Sequence, residues 1–75
     1  MKNTLLEVLS KDERVIVASS AEDNQFITWN RFNTFSCWDI NEDGTFVEVD
    51  VKTYGGPKKM DYESARAFAR TWMNQ

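Results

Sequence analysis

The segment Asn41-Glu42-Asp43-Gly44 constrains this chain most, because it sits between two runs that read as strands. Residues 34–54 therefore read as a β-hairpin folded about that turn. After the turn, Val47, Val49 and Val51 alternate with Phe46, Glu48, Asp50 and Lys52. A two-residue period of this kind belongs to a strand with one face against a core.

The loop chemistry sets the register. Asn-Glu-Asp-Gly-Thr suits a three-residue loop, in which a type I turn is followed by a left-handed glycine forming a G1 bulge. That loop pairs Asn41 with Thr45 and Ile40 with Phe46, and counting back puts Cys37 opposite Val49 and Phe35 opposite Val51. Phe35 and Cys37 then join the valines under the helices, while Trp38, Ile40 and Phe46 share the far face. A two-residue Asp-Gly loop would shift the register by one residue and send Trp38 into the core instead. On the bulged register, Trp38, Ile40 and Phe46, rimmed by Glu48 and Asp50, form a candidate partner-binding patch. The competing reading is a second small core, with the N-terminal helix or the turn at residues 31–33 covering that face.

The remaining segments arrange themselves around the hairpin. Thr4-Leu5-Leu6-Glu7 fits a capping box, and Leu5, Val8 and Leu9 share one side of a short helix over residues 5–10, with Lys11-Asp12-Glu13 as its exit. A helix so short must dock on something to persist. Residues 14–19, Arg-Val-Ile-Val-Ala-Ser, are β-branched and apolar enough for a strand covered at least partly on both faces. Residues 21–24 form a polar turn, 25–29 a second strand and 30–33 a further turn, unless residues 25–40 make one long bent strand. Gly55-Gly56-Pro57 ends the sheet. Asp61 is an N-cap, and Tyr62, Ala65, Phe68, Ala69, Trp72 and Met73 recur at helical spacing with Glu63, Arg66, Arg70 and Asn74 opposite. That helix, over residues 62–74, is expected on the valine face.

The expected fold is thus α+β. It is one domain over residues 1–75, with a small antiparallel sheet of three to four strands, a short N-terminal helix and a longer C-terminal helix, in the order α-β-β-β-β-α. A chain of 75 residues buries about 60–65% of the surface its unfolded form exposes, and three Trp, five Phe and two Tyr supply large areas for so small a core.

Composition also limits function. The net charge of −3 argues against unspecific binding to nucleic-acid backbone or to an anionic membrane. The single Cys37 precludes an internal disulfide, which suits a reducing cytoplasm. No apolar run approaches the roughly 20 residues of a membrane span. With no histidine, the chain lacks the commonest general base and metal ligand.

Several motifs invite chemistry. Asp39-x-Asn41-x-Asp43-Gly44, with Asp50 at the twelfth position, follows the spacing of an EF-hand calcium loop. Against calcium stand the β pattern of residues 46–49, Asp in place of Glu at the last position, and the fit of the same residues to a plain turn. Cys37 has no histidine to activate it and points into the core on the bulged register. The stretch Gly55-Gly56-Pro57-Lys58-Lys59 lacks the Gly-Lys-Ser/Thr of a Walker loop and reads as a solvated connection. Arg66 and Arg70, one helical turn apart, with Lys58 and Lys59, would suit a phosphate or an acidic partner, or form the solvated face of the last helix. Phe46, Trp38 and Trp29 would stack bases as on single-strand-binding sheets, although Asp39, Glu48 and Asp50 are poor neighbours for a nucleic acid. No catalytic, metal or cofactor site is assigned.

The Asp-x-Asn-Glu-Asp-Gly-Thr turn followed by Tyr62-x-x-Ala65-x-x-x-Ala69-x-x-Trp72 resembles short orphan proteins encoded by bacteriophages. The resemblance covers the last half of the chain and implies a phage or mobile-element origin, with binding to a host protein as the mode of action. The functional expectation is a non-enzymatic binding module, occupying a protein partner or homodimerising through its aromatic sheet face. Single-stranded nucleic-acid binding is the alternative.

Overall fold

The computed structural model describes residues 4–10, 13–30, 32–55 and 60–74. The helix exit at residues 11–12, Arg31 in the second turn, and residues 56–59 with their lysine pair lie outside them, as does the side chain of Leu5. The elements are α1 (Leu5–Ser10), β1 (Val15–Ser20), β2 (Gln25–Trp29), β3 (Thr34–Ile40), β4 (Phe46–Thr53) and α2 (Tyr62–Met73). The strands form one antiparallel sheet in the order β1-β2-β3-β4. Every connection is therefore a hairpin between neighbours. Residues 25–40 are two strands, not one bent strand.

Two of the hairpin loops share one backbone design. At the last, the Asn41 N–H donates to Thr45 O (2.8 Å) and the Gly44 N–H to Asn41 O (3.0 Å), with Gly44 at φ 83°. This is the expected three-residue bulged loop, and Ile40 does pair with Phe46. Between β2 and β3, the Asn30 N–H donates to Thr34 O (3.2 Å) and the Asn33 N–H to Asn30 O (3.0 Å), with Asn33 at φ 56°. Asparagine tolerates the left-handed region because its short amide finds local partners there.

Alternation along the strands then separates two cores. Ile27, Trp29 and Phe35 face α2 and pack with Val17, Ala65 and Ala69, flanked by Cys37, Phe68, Trp72 and Met73. Phe26 and Trp38 face the other way, beneath Val8 of α1 and beside Phe46. The two helices thus lie on opposite faces of the sheet: α2 covers one, and α1 covers the far face, as the reading of that face as a second small core required.

Two β-bulges account for the remaining departures. In β4 the ladder runs Ile40–Phe46, Asp39–Val47 and Trp38–Glu48, then resumes at Cys37–Asp50 with Val49 left over. Phe35 consequently faces Lys52 instead of Val51, and Asp50 and Lys52 move to the α2 side. The expected valine face does not form: Val47 is half-buried, and Val49 and Val51 are exposed on an edge strand. The helix lies along β1 instead. In β1, Val17 is the extra residue between Ile16–Thr28 and Ala18–Ile27. Only Val17 of the apolar run is buried. Val15 and Ile16 are exposed, because β1 too is an edge and is not covered on both faces.

The Asp61 cap follows the sequence, and half of the Thr4 capping box forms, with the Glu7 carboxylate on the Thr4 hydroxyl in place of its amide. The Glu7 N–H donates to Thr4 Oγ1 (3.4 Å), and that hydroxyl donates to Glu7 Oε1 (3.2 Å). The Ser64 N–H donates to Asp61 Oδ1 (2.7 Å), and these hydrogen bonds from Ser64 hold the Asp61 carboxyl below the usual aspartate range.

Candidate functional site

The patch expected on the far face is largely closed. Trp38 is 3% exposed. Its ring stacks beside Phe26 (6.3 Å between centroids, 11° between planes), and Phe46 meets Phe26 edge-on at 5.0 Å. Its indole N–H donates to Thr28 Oγ1 (2.9 Å), which supplies a buried partner for the only polar atom of the side chain. Val8 caps the cluster, and the Arg14 guanidinium lies 5.1 Å from the Trp38 ring centroid while pairing with Glu48 (3.7 Å). The far face is therefore a second small core.

Of the other residues expected in that patch, Ile40 is exposed, Phe46 is half-buried and Glu48 is exposed at the edge, committed to Arg14. Asp50 is also exposed, but the β4 bulge turns it to the α2 side, away from Trp38. The rings expected to stack bases are divided as well. Trp29 and Trp38 lie on opposite faces, both buried, because Trp29 pairs with Phe35 and Trp38 stands three positions further along β3.

The calcium-loop residues are occupied with the turn. Asp43 Oδ1 accepts from the Thr45 N–H (3.1 Å) and hydroxyl (2.6 Å), Asn41 donates to Thr45 Oγ1 (3.1 Å), and Asp39 accepts from Gln25 (2.7 Å). Among the described residues no three His, Cys, Asp or Glu side chains gather into a metal site. Cys37 is half-buried, and burial, then the charges of Asp39 and Asp50, push its thiol up. A thiol so placed stays protonated at neutral pH and is a poor nucleophile. Among the described residues no helix is long and apolar enough to cross a membrane.

A concave feature lies elsewhere, between the outer edge of β1 and α2. This groove, of about 580 Å³, is lined along the strand by residues 16–20, at the following turn by Glu22 and Asp23, and along the helix by Tyr62, Arg66, Arg70 and Met73. Tyr62, Arg66 and Arg70 recur at four-residue spacing, which stacks them on one side of a helix. Tyr62 leaves the apolar stripe to which the sequence assigned it. It is 49% exposed, with the Arg66 guanidinium 5.8 Å from its ring centroid. Neither Arg66 nor Arg70 forms an ion pair with a described residue; the pair Arg14–Glu48 is elsewhere. The sequence did single out Arg66 and Arg70 as one helical turn apart. It gave no sign that β1 would lie beside them, because that depends on which strand the helix crosses.

One internal tie also escaped the sequence reading. Asn33 is buried, and its Oδ1 accepts from the Trp29 indole (3.4 Å) and from the Met60 N–H (2.9 Å), while its carbonyl accepts from the Tyr54 N–H (2.9 Å). It joins the second loop to the end of β4 and the approach to α2. The signal was present: Asn30-Arg31-Phe32-Asn33-Thr34 and Asn41-Glu42-Asp43-Gly44-Thr45 align position by position.

Compared with known proteins, the chain matches no protein family, no curated protein and no solved structure.

Proposed function

We propose that this protein is a binding module, not an enzyme, and that it acts by occupying a protein partner, as a viral or accessory regulator would. The observation that carries this reading is the groove between β1 and α2, where an open strand edge faces two arginines that have no counter-ion among the described residues. A strand edge leaves backbone donors and acceptors unpaired, and a guanidinium without a carboxylate beside it is a ready anchor for a partner. The aromatic cluster under α1 contributes to this function as a support, since it fixes β2 and β3 and leaves its rings inside.

The reading is tested by position. A photo-crosslinking side chain in place of Ser19, in the groove, should give a discrete heavier adduct in lysate of cells that carry the protein. The same side chain in place of Thr53, on the opposite edge strand, should give none. A folded protein that yields no adduct at Ser19, or equal adducts at both positions, would overturn the assignment of the binding surface.

A further inference from the structure

We infer that the groove takes an extended acidic peptide, which adds to the sheet as a fifth strand beside β1. The inference rests on the protein-binding reading above and specifies its partner. Strand addition needs an accessible edge with a wall beside it, and β1 ends the sheet with α2 running along it. Residues 16–20 of the strand and Tyr62, Arg66, Arg70 and Met73 of the helix line the same groove, so the two run alongside each other over its length. A strand laid against β1 would turn every second side chain toward the helix.

The helix spacing matches such a strand. Arg66 and Arg70 are separated by about 6 Å along the helix axis, at 1.5 Å per residue. Alternate residues of an extended strand are about 6.6 Å apart. Carboxylates at alternate positions therefore meet both guanidiniums at once, each with its own partner. Neither arginine is neutralised by a described residue, so the pairing displaces no existing ion pair among the described residues. Glu22 and Asp23 line the groove at the turn after β1 and disfavour a carboxylate there, which restricts the acidic residues to the stretch beside the arginines.

The bulge at Val17 sharpens the selectivity. It interrupts the regular ladder between Ile16 and Ala18, so residues 18–20 offer the regular part of the edge. Bulges on edge strands discourage unselective pairing. A short ladder contributes little by itself, and the arginines decide which strand stays.

The test uses the full chain, labelled for amide NMR, and three blocked hexapeptides. One alternates valine and glutamate, one alternates valine and lysine, and one repeats the glutamate sequence with methylated backbone nitrogens. The glutamate peptide should shift the amides of residues 16–20 and the side-chain N–H signals of Arg66 and Arg70, with binding that weakens as salt rises. The lysine and N-methylated peptides should each bind at least tenfold more weakly. The double variant Arg66→Glu, Arg70→Glu, with an otherwise native spectrum, should lose the glutamate peptide and gain the lysine one. If the N-methylated peptide binds equally, or inorganic phosphate reproduces the shifts at the arginines without those at β1, the groove is an anion site and strand addition is overturned. If the glutamate peptide produces no shift at millimolar concentration, the acidic-strand inference fails. A Ser19 crosslink obtained alongside that failure would leave the protein-binding reading standing with a different partner chemistry.

Discussion

The loops at residues 30–34 and 41–45 have the same hydrogen-bonded backbone and opposite surroundings. Each begins with an asparagine, ends with a threonine and places its fourth residue at positive φ. Gly44 does this on an exposed tip, where an added Cβ would find no atom within 4 Å. Asn33 does it in a buried position, where its side chain accepts from Trp29 and Met60. The same turn is thus used once for its shape alone and once as a junction. Glycine suffices where only the backbone conformation is required, and asparagine appears where the side chain has a structural task as well.

The largest loss is expected from Asn33→Ala. It removes an acceptor from two donors and forces a β-carbon into the left-handed region without the amide that eases it. The lost acceptor costs about 1–3 kcal/mol and the conformation about 1–2 kcal/mol, which together rival the stability of a domain this small. Urea denaturation followed by tryptophan fluorescence should show the midpoint collapse. Asn33→Gly separates the two terms, because glycine accepts the conformation and still lacks the acceptor. It should lose about 1–3 kcal/mol, clearly less than alanine. If glycine and alanine destabilise equally, the conformation contributes nothing and the analogy with Gly44 fails.

The first position of each loop offers a milder contrast. Asn30 Oδ1 accepts from the N–H groups of Phe32 (2.9 Å) and Thr34 (3.1 Å), and Asn30 is buried. Asn41 donates one side-chain hydrogen bond to Thr45 at a half-buried site. Asn30→Ala should cost about 1–2 kcal/mol, and Asn41→Ala no more than about 0.5 kcal/mol, measured by the same denaturation. Equal losses would mean that burial does not distinguish the loops.

This contrast also explains how much was legible in the sequence. Local chemistry was readable: the Thr4 and Asp61 caps, the Gly44 loop, the order of six elements and the presence of Trp38 on the face away from α2 all follow from residues within a few positions of one another. The valine alternation of residues 47–51 was misleading, because a bulge leaves no mark on a two-residue period and Val-Glu-Val-Asp-Val reads the same in either register. What covers each face stayed open between two readings. Trp38 was read either as part of an accessible patch or as part of a second small core; Val8 and Arg14 cover it, and that outcome depends on where a six-residue helix docks. The groove was hidden for the same reason, since Arg66 and Arg70 gain meaning only once β1 lies beside them.

Cys37 provides a check on the α2 face and on the junction that Asn33 makes. Burial and the neighbouring carboxylates raise its pKa, so the reactive thiolate is scarce at pH 8 and increases only at higher pH than for an exposed cysteine. Alkylation of the native protein should be several-fold slower at pH 8 than in urea. It should accelerate in Asn33→Ala at urea concentrations that leave the wild type folded, because loosening that junction frees the approach to α2.

The smallest effect is the most discriminating for the two loops. Gly44→Ala should cost about 1–2 kcal/mol, since nothing obstructs the new methyl group and only the left-handed backbone resists it. Gly44→Asn should cost only a few tenths of a kcal/mol, because asparagine already holds the corresponding position at φ 56° in the other loop of this same chain. The hydrogen bonds of Asn41 and Thr45 lie on the strand side of Gly44 and do not depend on its side chain. If Gly44→Asn were instead as damaging as Gly44→Ala, asparagine would not be intrinsically acceptable in this turn. The positive φ of Asn33 would then be a conformation imposed by its bonds to Trp29 and Met60, making the junction the cause of that loop's shape and not its beneficiary.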